Sequence, residues 1–220
     1  MRPLPATRQH PKRFGDVSDA FRQNLFWTLV QLSVYFAECA NPSRAAMVWM
    51  RRREAAGVFH SAELDVCLVE PPAAPLHVQR PGDPDPNYNR LAYQLDRRWD
   101  VPARRCRVYW PSMKFARLYG HWTGCDTLSA PHKVSHDLLC SSVWLAYLHR
   151  HPGVALKCWT SERCLQYRQR CDGSSGPIPD ALLKTRQGIT AIEIGGRYPA
   201  DWLRHHCERC VAAGYSWILW

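Results

Sequence analysis

The stretch from Gly176 to Gly196 constrains this chain more than any other. Gly176-Pro177-Ile178-Pro179-Asp180-Ala181-Leu182-Leu183-Lys184 runs on, through Gln187-Gly188, into Thr190-Ala191-Ile192-Glu193-Ile194-Gly195-Gly196. Two apolar runs flanking a glycine turn predict a β-hairpin. A two-residue turn at Gln187-Gly188 sets Leu182 opposite Glu193 and Asp180 opposite Gly195. Side chains alternate along a strand, so Asp180, Leu182, Lys184, Glu193 and Gly195 share one face. Two carboxylates converging there suit a hard divalent cation such as Mg²⁺, which would polarise a phosphodiester and activate water. Asp180 and Glu193 are therefore the candidate metal ligands and catalytic acids.

An Asp behind a proline on one strand and a Glu on the next resembles the PD-(D/E)xK nuclease core. That pattern pairs an Asp on one strand with Glu-x-Lys on the following one. Pro179-Asp180 and Glu193 match, while Gly195 stands at the lysine position. In active members the lysine orients the attacking water and offsets developing negative charge. Lys184, on the same face and diagonal to Glu193, is the candidate for a migrated lysine.

The net charge of +10 over 220 residues points to a polyanionic partner. Its distribution is uneven. Residues 1–60 carry nine Lys/Arg against four acids, and residues 101–120 carry five against none. Residues 61–100 reverse the balance, with four against seven. No apolar run reaches membrane-spanning length, and Met1 to Arg13 lacks the apolar core of a secretory signal. A cytoplasmic protein with a loose basic tail, residues 1–17, is the expectation. The ten cysteines are scattered and read as reduced thiols. His205-His206-Cys207-Glu208-Arg209-Cys210 is half of a zinc site, but Cys158, Cys164 and Cys171 have the wrong spacing to complete it, which argues against zinc.

Along the chain, Ser18 or Asp19 caps a helix to about Cys39, with Leu25, Leu29, Leu32 and Phe36 as its stripe. Asn41-Pro42 stops it, and Ser43 caps a second helix, Arg44 to Ala56, ended by Gly57. Val58-Phe59 and Val66 to Val69 read as strands. Pro71 to Asn89, with six prolines, reads as loop. Arg104 to Trp110 reads as a strand and Pro111 to Gly120 as a short helix. Helix, turn, helix and strand pair is the plan of a winged helix-turn-helix, assigned to residues 18–122. Its second helix would enter the major groove of duplex DNA. Arg44, Arg51, Arg52 and Arg53 on that helix, with Lys114 and Arg117, are the candidate DNA contacts.

Residues 123–220 then read as a second domain. A helix runs from Pro131 to about His149, ended by Pro152-Gly153, and a strand follows over Leu156–Trp159. Ser161-Glu162-Arg163 opens a short helix, and Gly173 to Gly176 is a connector. After the hairpin come a helix from Pro199-Ala200-Asp201 to Ala213 and a terminal strand, Tyr215 to Trp220. This order predicts a mixed sheet, and the whole chain an α+β protein.

Taken together, Ser43 to Arg53 with Gly57-Val58, Arg107 to Gly120, His136-Asp137 to Val143, and Trp159 to Arg163 resemble the plasmid replication-relaxation family. The family includes relatives of mobilisation relaxases. It joins an N-terminal winged helix to a PD-(D/E)xK-like domain. The resemblance implies that Glu162, Asp180 and Glu193 are the metal-site acids; His136 reads as a capping or core histidine, with a place in the site as the alternative. The resemblance also implies a DNA-binding protein of a mobile genetic element whose nuclease-like domain has lost the usual lysine. An active Mg²⁺-dependent endonuclease or nickase, and a transcriptional regulator or adaptor within a larger nucleoprotein complex, are the alternatives.

Overall fold

The computed structural model describes residues 11–119, 127–150, 158–173 and 175–220, with side chains from Val17 onward. Residues 1–10 of the expected tail lie outside them. So do His121–Gly124, around the expected domain boundary, and Pro152–Gly153 and the start of the strand expected from Leu156. The architecture is α+β, built on two sheets.

The first unit contains α1 (Pro11–Gln23), β1 (Trp27–Thr28), α2 (Leu29–Ser33) with a 3₁₀ turn (Val34–Phe36), and α3 (Pro42–Ala55). It is completed by β2 (Phe59–Val66), β4 (Arg104–Pro111) and α5 (Met113–Tyr119). The expected single helix to Cys39 is two helices. The break has a local cause. Thr28 caps α2 through a reciprocal capping box with Gln31, while Trp27 and Thr28 pair with Tyr109 and Val108 of β4. Residues 11–17 of the expected tail lie in α1. Asn41, rather than Ser43, caps α3 by accepting from the Arg44 amide at 2.9 Å, with Pro42 in the first turn. In place of the strands expected at 58–59 and 66–69 there is one β2 over Phe59–Val66, antiparallel to β4 over its full length, and Cys67–Val69 lie beyond its end. Cross-strand partners carry opposite charge there: Glu63 faces Arg107 and Asp65 faces Arg105.

The second unit is a five-stranded sheet in the order β3-β8-β7-β6-β5, where β3 is His77–Gln79, β5 Trp159–Ser161, β6 Ala181–Thr185, β7 Gly188–Glu193 and β8 Ser216–Leu219. Neighbours are antiparallel except β7 and β8, which run parallel across the connecting helix α8 (Ala200–Ala212). α6 (Pro131–Arg150) and α7 (Glu162–Asp172) complete it. The β6–β7 register differs from expectation by two residues. The turn is Arg186-Gln187, Thr185 pairs with Gly188, and Leu182 faces Ala191. Thr185 Oγ1 accepts from the Gln187 amide, and Gly188 takes a φ of 131° that side chains disfavour. A two-residue slip preserves the faces, so Asp180 and Glu193 still share one.

The connection between β2 and β4 departs most from the sequence reading. The proline-rich segment holds β3, which adds an edge strand to β8, and α4 (Tyr88–Arg98) follows. Asn87 caps α4 by accepting from the Arg90 amide. Leu91 and Leu95 of α4 bury against Leu203 and Cys207 of α8 and Trp217 of β8. Residues 77–98 thus belong to the second sheet's layer, and a division at residue 122 cuts through contacts rather than between them. A second core runs without interruption from Phe21, Trp27, Phe59 and Phe115 through Val143 and Trp144 of α6 to Trp159, Ile192 and Trp220. α6 also receives Gln31 of α2, which donates to the Leu138 carbonyl at 2.8 Å.

Candidate functional site

The first candidate surface is α3. Arg44, Val48, Arg51, Arg52 and Ala55 recur at helical spacing and are all exposed, while Ala46 and Met50 are buried on the opposite side. Arg53 turns away from this stripe and lies 5.3 Å over the Trp49 ring. Lys114 donates to the Ala56 carbonyl at 2.7 Å, closing the C-terminus of α3. Arg117 is exposed on α5. Ion pairs with Asp65 and Glu63 engage Arg105 and Arg107, so the second basic block presents less free charge than its count suggests.

The second candidate is a cluster of acids beside a cleft of about 780 Å³ between α6, α7 and the 194–198 segment. Asp180, just before β6, accepts from the Ile194 amide at 2.7 Å, and its carbonyl accepts from the Glu162 amide at 2.8 Å. The β6–β7 pairing ends at Ala181 and Ile192, so Asp180 and Glu193 are the next residues opposite one another. Such neighbours have Cα atoms about 5 Å apart. His136 of α6 closes the arrangement. Its Nε2 donates to the Ile194 carbonyl at 2.7 Å and lies 3.4 Å from Asp180, and Trp99 stacks on its ring. Burial disfavours the imidazolium, but contacts with Cys140, Asp180 and Asp137 outweigh it and raise the proton affinity above the ordinary histidine range.

Glu162 opens α7. Burial, with the charges of Asp180 and Asp137, pushes its carboxyl up to about 7. Glu193 is held elsewhere. Its side chain is 4% exposed, and its Oε2 lies 3.0 Å from Nε2 of His206 on α8, close enough for an ion pair but off the line of a hydrogen bond. Burial and the Asp180 charge push Glu193 up to about 7, against the pull of His206. Burial opposes a charge on His206, but Cys210 and Glu193 outweigh it and carry the imidazole to about 10. Trp202 stacks on His206 at 4.9 Å and on Tyr198 at 4.0 Å, joining the cleft to the buried pair by one run of rings.

The expected site residues therefore divide. Asp180, Glu162 and His136 come together. Glu193 is adjacent, and its Oε2 pairs with His206. Lys184 is exposed and faces Ile189 rather than lying diagonal to Glu193. Four residues of strand, about 13 Å, separate it from Asp180. Gly195 has no room for the missing lysine: a Cβ there would meet both Leu95 methyl carbons at 2.5 Å. Sequence reasoning missed Asp137, His206 as the partner of Glu193, and the α4 residues over Gly195. The Asn87 cap and the Leu91/Leu95 spacing were the available signals for α4. Cys207 and Cys210 are both buried in α8. No family model matches this chain, and no curated protein or solved structure does either.

Proposed function

We propose that this protein binds duplex DNA through α3 and carries a nuclease-like second unit that does not cleave. The observation that carries this reading is the exposed stripe Arg44–Val48–Arg51–Arg52 on the third helix of an α1-β1-α2-α3-β2-β4 unit. That element order, with β4 between β1 and β2, supports the winged-helix reading. Such a helix enters the major groove, where arginines meet phosphates and guanine edges. The second unit runs helix, strand, helix, hairpin, helix and parallel strand, and the nuclease-like reading takes Asp180 and Glu193 as its acids. Leu95 fills the space above Gly195, and His206 occupies Glu193, so neither the lysine nor the second acid is free for hydrolysis. Membership of the plasmid replication-relaxation family and a role in a mobile element are part of this proposal. Among the described residues no helix is long and apolar enough to cross a membrane.

The test is incubation with supercoiled plasmid and Mg²⁺ or Mn²⁺, scored by gel for both retardation and nicking. Retardation without nicking, equal in wild type and Asp180→Ala/Glu193→Ala and weakened by Arg51→Ala/Arg52→Ala, is expected. Nicking abolished by Asp180→Ala would replace this reading with a metal-dependent endonuclease.

A further inference from the structure

The arginine stripe of α3 has an apolar residue at its centre. Counting about 100° of turn per residue, the buried pair Ala46 and Met50 is centred about 180° from Val48. Val48 therefore points directly away from the core. Arg44 and Arg51 lie about 40° and 60° to one side of it, and Arg52 about 40° to the other. Val48 is 40% exposed. A β-branched residue loses rotamer freedom in a helix, and outside the core it gains no full burial in return. Alanine would serve the helix better at this position.

The rest of the first unit leaves α3 to do the reading. The connection between β2 and β4 is not a free wing, because its β3 pairs with β8 and its α4 packs on α8. Arg105 and Arg107 of β4 are held by Asp65 and Glu63. On α3 itself, arginines reach phosphates of any sequence, or the O6 and N7 atoms of guanine. Neither contact recognises an A·T pair. What marks thymine in the major groove is its C5 methyl group, and an apolar side chain is the match for it. A protein partner fits this face less well. Valine is under-represented at protein hot spots, whereas the two phosphate walls of a groove supply the negative charge that three surrounding arginines require. Arg44 and Arg51 are seven residues apart, about 10.5 Å along the helix axis, which matches about three base pairs.

We propose that Val48 is a specificity-determining residue, packing on the C5 methyl of one thymine in the major groove. Arg44 and Arg51 hold guanines or phosphates within about three base pairs of that thymine. The inference rests on duplex binding by α3 and goes beyond it by naming the base that is read and the side chain that reads it.

The test starts from duplexes that the full chain selects out of a randomised pool. Each thymine of the selected site is then replaced by uracil, which deletes the methyl and leaves base pairing intact, and fluorescence anisotropy reads the affinities. For wild type, uracil at one thymine should weaken binding about three- to fivefold, the weight of one buried methyl group. Val48→Ser should bind the thymine and uracil duplexes equally. It should also melt within about 2 °C of wild type, because the side chain lies outside the core. Arg51→Ala should weaken both duplexes alike and keep their ratio. Selected duplexes with no uracil-sensitive thymine would overturn the inference while leaving duplex binding in place. So would a sensitivity that persists in Val48→Ser, by assigning the methyl to another residue. Failure to bind any duplex would overturn the DNA reading and this inference with it.

Discussion

Gly195 offers the sharpest test of how the second unit is built. Its φ is not positive, so backbone conformation does not demand glycine there. Only space does. A Cβ at this position would lie 2.5 Å from both Leu95 methyl carbons and 3.0 Å from Leu95 Cγ, against an ordinary contact of 3.4–4 Å. Leu95 must therefore retreat by about an ångström, yet it is fully buried among Leu91, Leu203 and Trp217. Overpacking a tight core costs about 1–3 kcal/mol. For a chain of this size that lowers Tm by roughly 2–12 °C. Leu95→Ala alone should cost about 2–5 kcal/mol through its cavity. In the Leu95→Ala background the same methyl enters open space, so Gly195→Ala should be neutral or stabilising there. A double-mutant cycle read by urea unfolding should thus give a coupling of about 1–3 kcal/mol in favour of the double variant. A neutral Gly195→Ala in wild type, or costs that simply add, would refute the claim that α4 occupies the lysine's space.

Three further outcomes are expected. Arg51→Ala and Arg52→Ala should each reduce the slope of log affinity against log salt by about one when fluorescence anisotropy follows duplex binding, with stability changed by less than about 0.5 kcal/mol because both are exposed. His206→Ala leaves buried Glu193 without its partner, so that it takes up a proton at neutral pH, and should cost about 1–3 kcal/mol by denaturant unfolding. His206 is raised in the folded state to about 10 from 6.5, so its contribution is complete below pH 6.5 and lost as pH rises through 10; that decline in wild-type stability should be absent from the variant. Thr28→Ala removes the cap of α2 and should cost about 1 kcal/mol by calorimetry, while Ser43→Ala, beside the true cap Asn41, should cost little.

Elements whose signals are local were legible along the chain. Asn41-Pro42 and Gly57 bracket α3, Pro199 opens α8, and the arginine stripe follows from 3.6-residue periodicity. The alternation that puts Asp180 and Glu193 on one face survived a two-residue error in register, because the period of a strand is two. Everything set by partners distant in the chain emerged only in the folded molecule. The Leu25 to Phe36 stripe has helical period, yet pairing of Trp27 and Thr28 with β4, some eighty residues on, turns part of it into a strand. The proline-rich segment lacks strand periodicity, and β3 exists because β8 offers an open edge. α8 brings His206 to Glu193, and α4 brings Leu95 to Gly195. Spacing along the chain records which side chains share a face. It does not record which element will cover that face, and that covering decides which acids are free to act.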